Sequence, residues 1–231
     1  MPSERWVNFI AAMVALALLL LSSPAGAALL LGPSSSGEAL GRHVRTLEDP
    51  GGTLTPVEAL RIQRTGQFER QDADHPSFGY TSSVFWTHMV FEQTGQRPET
   101  WYIELDTPLV GEVDLFTINR NDITLKTKTG SDRNFSQRPI EHRSFLFPFE
   151  LQPGERVEFM LRTSAQTSHQ LALNIWQSDD FWTKEQGRYA MLGVFFGMMI
   201  VMIIFNTFVY ISLRDPSYLP YVLFVFFVTT F

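Results

Sequence analysis

The longest uncharged stretch of the chain, residues 189–213, constrains everything around it. A helix rises about 1.5 Å per residue, so about 20 apolar residues cross the hydrocarbon core of a bilayer, which is about 30 Å thick. The stretch has this length and carries no charged side chain. It therefore predicts a first transmembrane helix over residues 189–213, with the lipid bilayer as a partner.

The amino terminus predicts export of the residues that follow it. Arg5 supplies a positive start, residues 9–21 are apolar, and residues 25–27 form a small-residue cleavage pattern. We expect a signal peptide over residues 1–27 that is removed after Ala27. The alternative is an uncleaved signal anchor, which would also carry the next segment across the membrane.

Composition excludes several classes of function. The chain has no cysteine, which rules out disulfides, thiolate metal sites and a cysteine nucleophile. Its net charge is −6 and it has no basic stripe, so nucleic acid is not an expected partner. Residues 32–41 are small and polar, which predicts a flexible leader over residues 28–43.

One short helix is predicted before the run of strands. Thr55 is placed as an N-cap, Pro56 suits the first helical position, and Glu58 can close a capping box. The helix should run from Pro56 to about Gln63.

From Tyr80 onward the hydrophobic period is two, which indicates strands. Short runs rich in aromatic and β-branched residues alternate with turn material. This pattern predicts a mainly β domain over residues 44–180, an antiparallel β-sandwich of the jelly-roll kind. The predicted strands are residues 84–91, 101–106, 112–119, 123–128, 144–149, 156–162 and 170–176.

Alternation along these strands assigns a core face and an outer face. Residues 84–91 are apolar on both faces, as expected of a central strand. Tyr102, Glu104 and Asp106 should lie on an outer, solvated face. The predicted core residues are Trp101, Ile103, Leu105, Val113, Leu115, Phe145, Phe147, Phe149, Val157, Phe159, Leu161, Leu171, Leu173 and Ile175.

The carboxyl-terminal part is divided by its polar residues. Residues 181–188 should link the sandwich to the membrane, and residues 214–217 should form a tight cytoplasmic turn. Residues 218–231 are apolar but too short to cross a bilayer alone, so we expect the start of a second transmembrane helix that is truncated.

Inside the first span, Gly193, Gly197 and Asn206 predict packing against other helices, with a homodimer as one possibility.

Two clusters of polar residues raise the question of chemistry. Glu104 and Asp106 could form a glycosidase pair, although carboxylates two apart on a strand are more typical of a solvated face. Asp72, Asp74 and His75 could hold a metal, although their spacing is that of a polar loop. The sequence therefore predicts no catalytic residue, no metal site and no cofactor.

A ligand-binding surface is the remaining functional prediction. Aromatic platforms flanked by polar groups are suited to sugars. The alternative is that these side chains are structural, with Trp176 capping an edge and the arginines paired with acids such as Glu141. The candidate residues are His88, Tyr102, Arg138, Arg143 and Trp176.

A series of short motifs resembles one receptor family in order and spacing. In the membrane part the likeness rests on Gly193, Gly197, Phe205-Asn206, Leu213-Arg214-Asp215, Tyr218-Leu219 and Tyr221. In the outer part the motifs are Leu47-Glu48-Asp49-Pro50 with Leu54-Thr55, Gly79-Tyr80-Thr81-Ser82-Ser83 with Trp86, Trp101-Tyr102-Ile103-Glu104-Leu105, Glu112-Val113-Asp114-Leu115-Phe116, Arg138 with His142-Arg143, Pro153-Gly154-Glu155 and Leu173-Asn174-Ile175-Trp176.

The chain resembles the bacterial seven-transmembrane receptors with diverse intracellular signalling modules, in the version with the second type of extracellular domain. His88 and Phe205 depart from the family pattern, which has arginine and tyrosine there. The resemblance implies a jelly-roll domain similar to carbohydrate-binding modules, lying in the periplasm, on a multi-pass protein of the inner membrane. It also implies a sensor that binds a small ligand, with carbohydrate as one candidate, and signals to a cytoplasmic diguanylate cyclase, histidine kinase or phosphatase.

Two other functions stay open at this point. The domain could be an envelope carbohydrate-binding module that is anchored by its helices and has no signalling role. It could also be a membrane-bound glycosidase that uses Glu104, although the residues predict no enzyme in this chain.

Overall fold

A computed structural model of the chain describes residues 28–120, 122–214 and 217–230. The chain divides into two compact units, with Ser178 as the last residue of the first. The predicted signal peptide, residues 215–216 of the predicted turn and Phe231 lie outside the described residues.

In the described part of the first unit, the regular elements are strands and one α-helix. The helix is α1 (Pro56–Arg64), and short 3-10 turns form at Gly41–His43 and Phe135–Gln137. The strands are β1 (Leu29–Leu31), β2 (Glu38–Ala39), β3 (Arg45–Asp49), β4 (Glu69–Arg70), β5 (Ser77–Tyr80), β6 (Val84–Gln93), β7 (Glu99–Leu105), β8 (Glu112–Asn119), β9 (Asp122–Thr129), β10 (Phe145–Leu151), β11 (Arg156–Ser164), β12 (Ser168–Gln170) and β13 (Leu173–Gln177).

These strands form two main sheets that enclose a core. The large sheet has the order β4-β3-β6-β11-β8-β9, with β1 added beside β6, and the small sheet has the order β10-β7-β13-β2. Neighbouring strands are antiparallel except for β1, which runs parallel to β6. The ring of Phe149 from the small sheet lies 5.5 Å from Phe91 and 5.2 Å from Phe159, both from the large sheet. The predicted antiparallel β-sandwich is confirmed.

The core between the sheets contains all the residues that alternation assigned to it, together with others such as Met89 and Phe91. Trp101, Ile103, Leu105, Leu171 and Leu173 are fully buried there, and Val157 packs against the same cluster. Burying a side chain of this size stabilises the fold by roughly 1.5–3 kcal/mol. A core of this kind holds together a domain that has no cysteine to cross-link it.

Strand β6 is buried on both faces, as its sequence predicted. Met89 and Phe91 point into the core between the sheets. Val84 and Trp86 point to the outer face of the large sheet, where they form a second core with Leu60 of α1. Helix α1 therefore covers the outer face of the large sheet.

The capping box of α1 is present as predicted. The Thr55 hydroxyl accepts a hydrogen bond from the Glu58 amide at 3.3 Å, and the Glu58 carboxylate accepts one from the Thr55 amide at 2.9 Å. These hydrogen bonds from Thr55 hold the pKa of Glu58 below its ordinary value. The helix ends at Arg64, one residue beyond the predicted end.

Residues 28–43 are not the flexible leader that their composition predicted. Strand β1 pairs with β6, and β2 pairs with β13, so the segment contributes to both sheets. Leu31 and Leu40, on either side of the polar run, are fully buried. The segment pairs with free edges of β6 and β13, which are distant from it in the sequence. Local composition therefore does not predict these partners.

The second unit is helical. Helix α2 (Ser178–Leu213) includes residues 181–188, so the predicted linker is continuous with the predicted span. Asp179 and Asp180 in the first turn favour a helix start there through the helix dipole. Among the described residues, α2 is the one helix that is long and apolar enough to cross a membrane. It is followed by the shorter α3 (Tyr218–Thr230).

Three residues of α2, Gly193, Gly197 and Asn206, were predicted to pack against other helices. An added Cβ at Gly193 or Gly197 would contact nothing within 4 Å. The Asn206 amide donates to the carbonyl of Met202 in the same helix, at 2.8 Å. Contact of these residues with other helices stays a prediction.

Candidate ligand site

The five predicted ligand residues lie in three different places in the first unit. His88 is on the outer face of the large sheet, while Tyr102 and Trp176 are on the outer face of the small sheet. Arg138 and Arg143 lie in the loop that precedes β10. The five do not share one surface, and a ligand role for each of them stays a prediction.

His88 is buried in a hydrogen-bonded cluster. Its Nε2 lies 2.6 Å from Oε1 of Glu158, and its Nδ1 lies 3.4 Å from the amide nitrogen of Gln63. Arg64 donates to the other oxygen of Glu158 at 3.1 Å. Burial alone would raise the pKa of Glu158, but His88 and Arg64 together bring that pKa below its ordinary value. The cluster ties α1 to the large sheet.

Tyr102 and Trp176 are cross-strand neighbours on β7 and β13. The indole Nε1 of Trp176 donates to Oε2 of Glu104 at 2.7 Å, and the Ser178 hydroxyl donates to the Tyr102 hydroxyl at 3.0 Å. Both aromatic side chains thus have hydrogen-bond partners within the domain.

Two of the three positions predicted to be solvated on the outer face of the small sheet are buried, while Asp106 is exposed as predicted. Glu104 is fully buried and Tyr102 is 8% exposed. The chain at Gly37 lies so close to the indole of Trp176 that an added Cβ there would approach it to 3.1 Å. The amino-terminal segment and the indole therefore cover positions that the alternation pattern assigned to water.

Arg138 and Arg143 organise the loop in which they lie. The Arg138 guanidinium stacks over the rings of Phe135 and Phe145, at 4.6 and 4.5 Å, and donates to the carbonyls of His142 and Arg143. Burial lowers the pKa of Arg138 from its ordinary value. Arg143 lies 3.6 Å from the carboxylate of Asp106. These partners differ from Glu141, which the sequence suggested.

Three of the acidic residues considered for catalysis or metal binding, Glu104, Asp106 and Asp74, are engaged by neighbours. Asp106 accepts a hydrogen bond from the Ser144 hydroxyl at 2.8 Å, and Glu104 is bonded to Trp176. Asp74 pairs with Arg42 at 2.7 Å. The residues that the structure describes contain no group of three histidine, aspartate or glutamate side chains that could hold a metal ion.

A cavity of about 340 Å³ opens at the edge of β6, where no sequence pattern predicted one. Strand β3 pairs with β6 up to His88, and β1 pairs with the same edge of β6 from Phe91 onward. Met89 and Val90 line the notch between these two pairings. The other lining residues are Ala28, Leu29, Leu30, Arg42, His43, Val44, Arg45, Arg70 and His88.

A second cavity, of about 220 Å³, lies beside β3. Two phenylalanines, Phe78 and Phe85, line it together with the amides of Gln67 and Gln71. Gln71 donates to the hydroxyl of Thr46, another lining residue, at 2.6 Å. Aromatic rings beside amides and hydroxyls form an amphipathic lining.

Two family matches account for most of the chain. The family described as 7TMR-DISM extracellular 2 matches residues 41–177, which is more than half of the chain. The family described as 7TM diverse intracellular signalling matches residues 188–231. The chain belongs to the 7TMR-DISM family. The resemblance seen in the sequence motifs is confirmed, and the chain is a membrane protein with an extracellular domain.

The 7TMR-DISM extracellular 2 match ends at residue 177, and the first compact unit ends at the next residue. Similar solved structures include the family 32 CBM from C. perfringens NanJ in complex with galactose. It is 10% identical, with a TM-score of 0.28, and the match covers 61% of this chain and 97% of that one. No curated protein matches this 7TMR-DISM chain.

Proposed function

We propose that this chain is the sensor portion of a signal-transducing receptor of the bacterial inner membrane. Its periplasmic β-sandwich binds a small ligand, and the transmembrane bundle passes the signal to a cytoplasmic output module such as a diguanylate cyclase or a histidine kinase. The chain itself carries no enzymatic activity in this proposal.

One observation carries the proposal. The extracellular-domain match over residues 41–177 is followed directly in the same chain by the 7TM match from residue 188. The two matches join a strand-built domain to a helix with many exposed apolar side chains, such as Met191 and Phe208. Exposed apolar surface of this extent is stable in lipid and costly in water.

Signalling in this arrangement requires the ligand to favour one packing of the helices over another. The ligand can shift that equilibrium only by the difference between its affinities for the two states. Moving the equilibrium from 1:99 to 99:1 needs a difference of about 10⁴-fold.

Carbohydrates are the first ligand class to test. The second cavity supports this choice, because the rings of Phe78 and Phe85 lie beside amide and hydroxyl groups. Sugars have apolar faces that stack on rings and hydroxyls that need polar partners.

The test begins with a panel of neutral monosaccharides and disaccharides added to the 231-residue chain in lipid nanodiscs. The expected result is an increase in the melting temperature of the sandwich with at least one sugar. Gly193→Cys then serves as a reporter, because the chain has no other cysteine. If the chain is a receptor, the sugar that raises the melting temperature also changes the yield of disulfide cross-linking between two copies of the Gly193→Cys chain.

Other outcomes separate the alternatives. Binding without a change in cross-linking would identify an anchored binding module that has no signalling role. The absence of cross-linking with or without sugar would exclude the proposed homodimer contact at Gly193. No increase in melting temperature with any sugar would contradict the carbohydrate proposal.

A further inference from the structure

We propose that the cavity at the edge of β6 is a binding site for a small organic anion, a molecule that carries a carboxylate or a phosphate group. This inference rests on the proposed ligand-binding function of the sandwich, but not on its signalling role. It concerns a different cavity from the one beside β3 that supports a carbohydrate ligand, and it gives this site a class of ligand that the family match does not give.

Basic side chains line the walls of this cavity. Arg42, Arg45 and Arg70 line it together with His43 and His88. Among the described residues, no carboxylate lines it. A volume of about 340 Å³ is within the range of pockets that hold small ligands.

Some of these groups already have acidic partners outside the lining. Arg42 pairs with Asp74 at 2.7 Å, and His43 lies 2.9 Å from Glu38. His88 is bonded to Glu158. Their contribution to the field in the cavity is therefore partly neutralised.

Arg45 and Arg70 differ from the others. They lie directly opposite each other on β3 and β4, and Arg45 is also directly opposite His88 on β6. Within the described parts of the chain, neither guanidinium has an acidic group within 4 Å. Like charges directly opposite on neighbouring strands destabilise a sheet.

An anion between these two side chains would remove the unfavourable interaction. Guanidinium groups bind carboxylates and phosphates through two parallel hydrogen bonds, which suits a site with two arginines on one face. Cleavage after Ala27 would add a further cation, because Ala28 lines the cavity and a free α-amino group has a pKa of about 8.

The experiment compares four probes on the 231-residue chain in detergent at constant ionic strength. The probes are glucose, glucuronate, glucose 6-phosphate and inorganic phosphate. Glucuronate carries a carboxylate at C6 where glucose carries a hydroxymethyl group, so their comparison tests the effect of the charge. We expect glucuronate, glucose 6-phosphate or both to raise the melting temperature and glucose to have a smaller effect.

Two variants locate the site. Arg45→Gln with Arg70→Gln should weaken binding of the active anion at least tenfold in calorimetry. Arg97→Gln removes an exposed arginine outside the cavity and should bind as the unchanged chain does. Without any probe, the double variant should melt no lower than Arg97→Gln, because it also removes the repulsion between two like charges.

Any of four results with the anionic probes and the variants would overturn the inference, and so would a fifth result with glucose. The four are no response to any anionic probe, retention of binding by the double variant, equal loss of binding in Arg97→Gln, and a lower probe-free melting temperature in the double variant alone. A response to glucose equal to that to glucuronate would also overturn it, while leaving the proposed carbohydrate sensor intact.

Discussion

The Nε2 atom of His88 on β6 lies 2.6 Å from Oε1 of Glu158 on β11. The two side chains are diagonal neighbours on the outer face of the large sheet, since His88 is directly opposite Met160. Gln63 and Arg64, at the end of α1, contact the same pair. The helix is therefore fastened to the sheet by a polar cluster as well as by its apolar face.

Glu158→Gln should destabilise the sandwich. The change removes a partly buried carboxylate that accepts from His88 and Arg64, and hydrogen bonds to charged groups contribute about 2 kcal/mol. Because the folded pKa of Glu158 lies below its ordinary value, its stabilisation is present above about pH 4.3 and is lost as the pH falls through the folded pKa.

Urea unfolding followed by tryptophan fluorescence from pH 7 to pH 3 measures both effects. Glu150→Gln, at an exposed position on β10, is the matched control and should leave the stability curve unchanged. Equal stability of Glu158→Gln and Glu150→Gln at pH 7 would contradict the role assigned to the cluster.

His169 should make the domain sensitive to mild acid. Its Nε2 lies 2.9 Å from the Thr163 hydroxyl, which donates in turn to the carbonyl of Phe85. The imidazole therefore donates through Nε2, and its buried Nδ1 has no hydrogen-bond partner among the described residues. Burial lowers the pKa of His169 to about 4.

The sign of the effect follows from this pKa. Between pH 6.5 and 4 the unfolded chain takes up a proton at His169 and the folded chain does not, so stability falls as the pH falls. The total loss is about 3 kcal/mol, because one pKa unit corresponds to about 1.4 kcal/mol.

His169→Phe should flatten the stability curve in this window, even if it is less stable at pH 7. The curve is measured by urea unfolding at half-unit steps from pH 7 to pH 4. His75→Gln, which changes an exposed histidine, should keep the slope of the unchanged chain. If the free energy of unfolding of His169→Phe still falls with pH as it does in the unchanged chain, the acid sensitivity comes from other groups.

Trp176→Phe should destabilise the small sheet by about 2 kcal/mol, because the buried carboxylate of Glu104 loses the indole donor. A double-mutant cycle with Glu104→Gln tests whether this hydrogen bond is the cause. The cost of the double variant should fall short of the sum of the single costs by about 1 kcal/mol. Additive costs would mean that Trp176 acts through its packing alone.

The orientation of the chain in the membrane can be measured by labelling single introduced cysteines, because the protein has no cysteine of its own. Tyr80 is 88% exposed on the sandwich, and Ser217 precedes α3. A membrane-impermeant maleimide should label Tyr80→Cys in intact spheroplasts. It should label Ser217→Cys only after the membrane is permeabilised, and the opposite pattern would contradict the proposed periplasmic location.

Local patterns predicted much of the fold. Alternation assigned Trp101, Ile103 and Leu105 to the core, and all three are fully buried between the sheets. The capping box at Thr55 fixed the start of α1. These features were predictable because each depends on residues a few positions apart.

The candidate sites were much less predictable. The cavity at the edge of β6 collects side chains from four separate segments, with Ala28, Arg45, Arg70 and His88 as examples. Its basic side chains come together at the gap along β6 between the end of the pairing with β3 and the start of the pairing with β1. The burial of Glu104 likewise depends on Trp176 and on the amino-terminal segment, which are distant in the sequence.

The sequence by itself determined the strand-built domain, its inner face, the apolar span and the family likeness, because period, length and motif order are local properties of the chain. Only the tertiary structure decided that residues 28–43 complete both sheets, that His88 is buried under α1, and that two arginines meet at a notch. Those outcomes depend on which distant segments share a sheet edge, and residue spacing does not encode that.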